Sequence, residues 1–326
     1  MDNPNHRGYR ARLTASSATV DPLLLDDIPG MVVFAAVAER GSFTAAARAL
    51  GLAKSVVSAR VARLEGRLGV RLLYRSTRRV ALTPEGTTLY PACARVARAA
   101  EDVRAQAGEA GELRGRLRVN APVSFGHRWL AAPLGAFMAR HPGVRVEVVL
   151  QDDRVDVVGG GWDAVIRFGV VTDPELVARR FVRDVGVVVA SPEYLARRGT
   201  PLTPLELSTH ACLRYGYGAQ PAEWTFTTPD GPLSVPVDGP ATVTDGALMM
   251  GLAEGGAGVG MLPWHIVGES VRAGRLVHVL DAWPAFEIVG QVVHAHGSHA
   301  PARLKAFVDH LVASFRIAPW GTPTEG

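Results

Sequence analysis

Five residues near the N-terminus lie on one face of a short helical stretch and have the side chains that nucleic-acid binding needs. They are Lys54, Ser55, Ser58, Ala59 and Arg63. Lysine and arginine donate to phosphate oxygens and base edges, and short side chains let the backbone come close to the bases. The first acidic residue of this stretch, Glu65, comes only after them. A basic helix face of this kind indicates an element that enters the major groove of DNA.

Two helices joined by a tight turn would present this face. Ser42 is a good N-cap for a first helix over 43–50, and it is included among the predicted DNA contacts. Gly51 can end that helix in a left-handed conformation, and small Ala47 lets a second helix approach. The second helix is predicted from apolar residues spaced four, three and four apart: Val57, Val61, Leu64 and Leu68. Spacing alone also allows an ordinary helical hairpin.

The residues that follow predict a β-hairpin wing. Two short extended stretches flank the loop at 76–79, and Arg75, Thr77 and Arg78 are predicted phosphate contacts. A solvated basic loop is the alternative. Residues 28–110 contain 13 Lys and Arg against 6 Asp and Glu, a net charge of +7, whereas the whole chain carries +4. The positive charge is therefore concentrated in the predicted DNA-binding region.

Residues 34–90 closely resemble the N-terminal winged helix-turn-helix of LysR-type transcriptional regulators. The resemblance rests on Gly-Ser-Phe-Thr-Ala-Ala-Ala at 41–47, Ser-Val-Val-Ser at 55–58, Leu-Glu-Gly-Arg-Leu-Gly-Val at 64–70 and Leu-Thr-Pro-Glu-Gly at 82–86. Ala53 departs from the family pattern, because a serine usually caps the second helix there. The resemblance implies a sequence-specific DNA-binding regulator and not an enzyme.

The resemblance to LysR-type regulators and the sequence pattern together divide the N-terminal part of the chain into three regions. We predict a disordered tail over 1–27, the winged helix-turn-helix over 28–87 and a linker helix over 88–110. A heptad seam is predicted on that helix at Leu89, Cys93, Val96, Ala100 and Val103. The resemblance implies that this helix pairs two subunits, giving a homodimer or homotetramer on roughly palindromic double-stranded DNA. A helix that packs only on its own chain is the alternative.

Strands alternate with helices over residues 116–320, which predicts an α/β domain and an α/β fold class for the whole chain. The alternation includes a short helix over 153–158. This region resembles the family's two-lobed, periplasmic-binding-protein-like effector domain through Trp-Asp-Ala-Val-Ile-Arg-Phe-Gly at 162–169, Ala-Ser-Pro-Glu-Tyr-Leu at 190–195 and Gly-Ala-Gly-Val-Gly-Met-Leu-Pro at 256–263. We expect lobe I to comprise 116–184 and 290–320, and lobe II to comprise 185–289.

Ligands of such folds bind between the lobes, at strand ends and helix starts. The predicted effector contacts are Ser124, Arg167, Gly169, Tyr215 and Asp245. Each has a structural alternative: helix capping for Ser124 and Asp245, lobe packing for Tyr215, and an internal ion pair for Arg167. We expect a small anionic or aromatic ligand.

Other classes of function find little support. The run at 255–260 lacks the G-x-G-x-x-G spacing of a nucleotide loop, so no cofactor is expected. His294, His296 and His299 lack Cys or carboxylate companions, so an exposed loop is favoured over a metal site. Cys93 and Cys212 are read as buried residues, with redox sensing left open.

The composition is globular, with 48% hydrophobic and 20% charged residues in 326. With no apolar run of membrane-spanning length, we expect a cytoplasmic protein without a membrane partner. The remaining alternative function is a solute-binding or metabolic-enzyme module whose helical N-terminus is not used on DNA.

Overall fold

The computed structural model describes residues 22–75, 80–106, 113–216, 222–295 and 300–323. The chain divides into two compact units, residues 1–98 and residues 99–326, each with its own hydrophobic core. None of the helices in the described ranges has both the length and the apolar character that crossing a membrane requires.

The first unit is helical and carries one small hairpin. Its elements are α1 (Pro22–Arg40), α2 (Phe43–Leu50), α3 (Lys54–Leu68), β1 (Leu73–Arg75), β2 (Val80–Leu82) and α4 (Pro84–Gln106), which continues into the second unit. Phe34 and Val37 of α1 pack with Leu64 of α3, and each is at most 1% exposed. A Cβ at Gly30 would lie 3.1 Å from Leu64 Cβ, so this glycine lets α1 approach α3 closely. The winged helix-turn-helix architecture is confirmed.

One predicted boundary in this region is wrong. The tail was expected to reach residue 27, but α1 begins at Pro22; residues 1–21 lie outside the described part of the chain. Proline suits the first turn of a helix, and the Asp27 carboxylate lies 2.8 Å from the Arg67 guanidinium of α3. Helix α4, which includes most of the predicted linker over 88–110, begins at Pro84, as expected from a cap at Thr83 and a proline at the first helical position: the Thr83 hydroxyl accepts the Gly86 N–H at 2.9 Å.

The predicted heptad seam of α4 is also partly wrong. Cys93 is 5% exposed and packs, with Leu89, into the core of its own chain. Among the exposed positions of α4, Thr88, Ala92, Arg95 and Ala99 recur at four, three and four, and Ala100 of the predicted seam is exposed as well. The N-terminal part of the predicted seam therefore packs on its own chain, whereas Ala100 stays accessible.

The second unit alternates strands and helices. Its elements are β3 (Gly115–Ala121), α5 (Val123–Phe125), α6 (Ala131–Arg140), β4 (Val144–Leu150), β5 (Ala164–Phe168), β6 (Leu176–Ala190), α7 (Pro192–Arg198), β7 (Cys212–Tyr215), β8 (Ala222–Thr228), β9 (Gly231–Val237), β10 (Thr242–Val243), α8 (Gly246–Glu254), β11 (Val259–Pro263), α9 (Trp264–Arg272), β12 (Val277–Val279), β13 (Glu287–Ala295) and α10 (Ala302–Ser314). A π-helical turn at Gly126–Leu130 joins α5 to α6.

Two long strands connect the lobes of this unit. The strand order is β10-β7-β11-β6-β13-β5-β3-β4, with β12 also on β6 and β8–β9 as a separate hairpin. β3 is parallel to β4 and β5, whereas β6 and β13 are antiparallel to each other. At Val185 β6 is still paired with β13, and at Gly186 it pairs with β11. The expected lobe boundaries at 184/185 and 289/290 thus fall inside the two crossing strands.

The short helix predicted over 153–158 is absent. The backbone there forms bends and a tight turn instead, and the Asp156 carboxylate accepts the Gly159 N–H at 2.7 Å. Aspartate side chains that bond the backbone a few residues ahead favour turns over helix.

Candidate DNA-binding surface and ligand cleft

The α2–turn–α3 unit has the geometry that the spacing predicts. Ser42 is extended (φ −156°, ψ 125°), and its hydroxyl accepts the Ala45 N–H at 3.3 Å. Gly51 adopts φ +65° and donates its N–H to carbonyls in the last turn of α2. Ala47 and Val57 are 5% and 0% exposed, so the contact between the two helices is closely packed. The turn holds α3 in one orientation on α2.

The outer face of α3 carries the predicted DNA contacts. Lys54, Ser55, Ala59 and Arg63 are exposed and Ser58 is half-buried, opposite the buried Val57, Val61 and Leu64. Ala53 is the N-cap with extended backbone, and its side chain provides no capping bond. The amide groups of the first turn of α3 therefore remain available to a phosphate.

The wing is formed by β1 and β2, paired antiparallel with Leu73 opposite Leu82. Of Arg75 the structure describes the backbone, and Thr77 and Arg78 lie outside the described residues. Their predicted phosphate contacts therefore stay predictions.

A cleft of about 1040 Å³ opens in the second unit, and four of the predicted effector contacts line it: Ser124, Arg167, Gly169 and Tyr215. Asp245 borders an adjacent hollow of about 380 Å³ that shares Ser124 with the cleft. Aromatic and apolar side chains form much of the cleft wall, including Phe168, Trp224, Met249 and Phe286. This lining suits a ligand with a flat apolar body.

Arg167 and Gly169 form hydrogen bonds within the protein. The Arg167 guanidinium donates to the Val155 carbonyl, and burial together with Arg154 lowers the pKa of Arg167. Gly169 donates its N–H to Val289 O at 3.0 Å, and its carbonyl accepts from Gln291 Nε2 at 2.6 Å. Gly169, at φ +112°, therefore shapes the cleft wall, and both of its backbone polar groups already bond within the protein.

The start of α8 leaves room for a ligand beside Ser124. A Cβ at Gly246 would lie 3.4 Å from Ser124 Oγ and 2.5 Å from Ile266 Cδ1, so glycine keeps this corner open. Asp245 caps α8 by accepting the Leu248 N–H at 2.7 Å, and within the described residues its Oδ2 has no hydrogen-bond partner. The structural alternative for Asp245, helix capping, is thus realised.

Carboxylates give this corner of the cleft a negative character. Asp152 accepts the Val123 N–H at 3.0 Å. Burial raises the pKa of Asp152, and the nearby Asp245 and Asp153 raise it further. The corner therefore disfavours a ligand anion, so an anionic group would need a donor elsewhere in the cleft.

The sequence predictions missed a buried pair in the cleft wall. His265, the second residue of α9, lines the cleft, and its Nδ1 lies 2.5 Å from Oδ2 of Asp184 on β6. An acidic residue directly before the apolar stretch at 185–190 was the available signal, but its partner lies 81 residues away in sequence.

Both cysteines are free thiols in buried surroundings. Burial raises the pKa of Cys212 to about 12, and it also raises the pKa of Cys93 against the opposing effect of Arg95. Thiolates are the reactive species, so these surroundings disfavour redox sensing. Within the described ranges no group of three or more His, Cys, Asp or Glu is placed to hold a metal ion.

Comparison with known protein families assigns both units. Residues 29–87 match the family described as bacterial regulatory helix-turn-helix protein, lysR family, and residues 110–316 match the LysR substrate binding domain. A transcriptional regulator of Xanthomonas campestris is 35% identical over 88% of this chain and 85% of its own length. The regulator PtxR of Pseudomonas aeruginosa is 34% identical over 90% of this chain and 95% of its own.

Full-length solved structures show the same fold. The virulence activator AphB of Vibrio cholerae superposes with a TM-score of 0.57 at 27% identity, covering 89% of this chain and 98% of its own. CrgA of Neisseria meningitidis, a LysR-type transcriptional regulator, gives a TM-score of 0.57 at 29% identity, covering 88% and 98%.

Proposed function

Because this chain belongs to the LysR family of bacterial transcriptional regulators, we propose that α3 reads its operator DNA and that the cleft binds the ligand that controls it. The alternative of a solute-binding or metabolic-enzyme module is not supported, since the relatives are transcriptional regulators. A regulator acts where its DNA is, and we assign it to the cytoplasm for that reason.

The observation that carries the DNA-binding proposal is the outer face of α3. Its exposed Lys54 and Arg63 are suited to phosphate and base contacts, and Ser55, Ser58 and Ala59 lie between them. Ser42 at the start of α2 and the wing residues Arg75, Thr77 and Arg78 are assigned to phosphates that fix the position of the protein on DNA.

We assign subunit pairing to the exposed face of α4 formed by Thr88, Ala92, Arg95 and Ala99, because Leu89 and Cys93 are committed to the core of their own chain. Small alanines allow two helices to approach closely. A two-fold pair presents two copies of α3, so we expect a roughly palindromic operator, bound by a dimer or by a tetramer made of two such pairs.

Within the cleft we assign direct ligand contact to Ser124 and Tyr215, and shaping of the wall to Gly169. Arg167 can contact the ligand with the part of its guanidinium that Val155 does not occupy. Asp245 orders the start of α8 beside Ser124. We expect a small ligand with an apolar, flat body, as the wall residues favour.

Salt-dependent DNA binding tests the role of α3. Fluorescence anisotropy with the DNA upstream of the protein's own gene would give the slope of log affinity against log salt for the wild type and for Lys54→Ala combined with Arg63→Ala. Each lost phosphate contact lowers the slope by about 0.9, so the double variant should bind more weakly with a shallower slope. Unchanged affinity and slope would remove α3 from the interface.

A further inference from the structure

Two carboxylates, one from each lobe, are held at the corner of the cleft beside Ser124. Asp152 follows β4, and its Oδ1 accepts the Val123 N–H at 3.0 Å. Asp245 precedes α8, and its Oδ1 accepts the Leu248 N–H at 2.7 Å. Ser124 lines both the cleft, with Asp152, and the adjacent hollow, with Asp245. Backbone bonds therefore bring two negative groups to the same corner from the two sides of the cleft.

These carboxylates bond backbone groups that a ligand anion would otherwise use. The start of a helix attracts anions because its first N–H groups have no partner within the helix. At this corner the chain's own side chains already accept such N–H groups, Asp152 that of Val123 and Asp245 that of Leu248. The corner therefore suits a ligand group that donates hydrogen bonds, and a positively charged donor best.

The two carboxylates also keep oxygens for a further donor. Each uses Oδ1 for its backbone bond, and Asp245 Oδ2 is buried without a hydrogen-bond partner within the described residues. Burial raises the pKa of Asp152, and the charges of Asp245 and Asp153 raise it further. A cation at the corner would counter the repulsion between the carboxylates and pair the buried oxygen.

The arginines of this region have other partners or are outnumbered. Arg128, in the adjacent hollow, lies 2.6 Å from the Glu269 carboxylate, and Arg167 donates to the Val155 carbonyl. Among the described residues that line the cleft, Arg167 and Arg154 are the arginines, and the carboxylates are Asp152, Asp153, Asp156, Asp173 and Glu223. The cleft as a whole therefore attracts cations.

We propose that the ligand of the cleft is a monocation, a protonated amine on a flat apolar body, whose ammonium group is bonded by Asp152 and Asp245. The proposal rests on the proposed function of the cleft. Phe168, Trp224 and Phe286 supply the apolar wall, and aromatic faces also attract a cation. Because the two carboxylates belong to different lobes, an ammonium group that bonds both favours the lobe arrangement in which both can reach it.

Three probes that differ only in the charge of one end group test the proposal by calorimetry on the full-length chain. Phenethylamine is the cation, 2-phenylethanol its neutral analogue and 3-phenylpropionate the anion, and all share a phenyl ring on a two-carbon chain. We expect the wild type to bind phenethylamine about tenfold or more tightly than 2-phenylethanol, as for hydrogen bonds to a charged group. It should bind 3-phenylpropionate least.

Asp152→Asn and Asp245→Asn each remove one charge and keep an oxygen that can accept the backbone N–H. Each should lose about tenfold in phenethylamine affinity and little in 2-phenylethanol affinity. Asp156→Asn is the matched control with a much smaller loss, because Asp156 also lines the cleft and accepts a backbone N–H, that of Gly159. Unfolding midpoints show whether the variants are folded, and Asp245→Ser, which keeps an N-cap without a charge, replaces Asp245→Asn if that variant is unstable.

The proposal is overturned by a wild type that binds the alcohol or the anion as tightly as the amine, or binds none of the probes. An equal loss for amine and alcohol in Asp152→Asn and Asp245→Asn would make the corner structural. An equally large loss of amine affinity in Asp156→Asn would mean a general attraction with no site at the corner.

A wrong charge preference can be told from failure of the cleft as a ligand site. If only the charge preference is wrong, the alcohol or the anion binds, and Ser124→Ala and Tyr215→Ala weaken that binding. If the cleft is no ligand site, the affinity of every probe is insensitive to Ser124→Ala, Tyr215→Ala and the variants of Asp152 and Asp245 alike.

Discussion

At Ala53, α3 lacks the side-chain cap that Ser42 provides at the start of α2. Its backbone, at φ −68° and ψ 144°, already has the extended conformation of an N-cap, and its carbonyl accepts the Val57 N–H at 3.1 Å. The missing part is a side-chain oxygen for the first amide groups of α3. The absence of a cap from Ala53 fits a role of this turn in binding phosphate.

We predict that Ala53→Ser stabilises the first turn of α3 by about 1 kcal/mol, since serine at an N-cap of suitable geometry bonds an otherwise unpaired N–H. Hydrogen exchange should show slower exchange of the Ser55 and Val56 amides, and urea unfolding should show a higher midpoint. Ala62→Ser is the control, because Ala62 is exposed in the middle of the same helix and serine there should be slightly destabilising. Equal effects of the two changes would contradict the capping argument.

At the residue scale, the sequence predicted what depends on near neighbours. The basic face of α3, the Ser42 cap and the Gly51 turn are each defined within one or two turns of chain, and the structure places them as expected. The pair of Asp184 and His265 was missed, because the two residues come together only through the packing of α9 on β6. No local pattern specifies that contact.

At the element scale, hydrogen bonds and close backbone packing hold the start of α4 against the segment that leads into β1. Thr83 donates its N–H to Leu72 O at 3.0 Å and its hydroxyl to Arg71 O at 2.6 Å. A Cβ at Gly86 would lie 2.0 Å from that same Leu72 oxygen. Glycine is needed here because α4 runs directly against the backbone that enters β1.

We predict that Gly86→Ala destabilises the protein by about 3 kcal/mol, because the clash is with backbone and cannot be relieved by a rotamer change. Gly66→Ala is the matched control: Gly66 lies in α3 with no atom within 4 Å of the added Cβ, so it should stabilise by roughly 0.5–1 kcal/mol. Urea unfolding of the full-length variants gives both values. Near-equal stabilities of Gly86→Ala and Gly66→Ala would show that the backbone at the start of α4 can move to accept the added Cβ.

The spacing of apolar residues located most helices and strands but did not show which elements pack on their apolar faces. The apolar spacing of α4 correctly indicated a helix, and Leu89 and Cys93 pack on the core of their own chain. The region 153–158 was expected to form a short helix, whereas Asp156 and the glycines after it form a turn. An apolar face predicts that the face is buried, but it does not identify the element or subunit that buries it.

At the scale of the whole molecule, the hydrogen bonds around the cleft indicate where a bound ligand can change the arrangement of the second unit. Arg128 donates to Ile266 O at 2.9 Å, and Trp129 donates to His265 O at 3.0 Å, so α9 is fastened to the turn before α6 as well as to β6. A ligand in the cleft, which His265 lines, would therefore act where three segments meet. It can alter DNA affinity only through different affinities for two arrangements of the protein.

Hydroxyl-radical footprinting on the DNA upstream of the protein's own gene tests the central claim most directly. The account predicts two protected segments whose centres are a whole number of helical turns, about 10 bp each, apart, as two copies of α3 require. Lys54→Ala with Arg63→Ala should lose both segments, while Arg179→Ala with Arg180→Ala, which removes the same charge from exposed positions of β6, should keep them. Wild-type protection by the α3 variant would contradict the account.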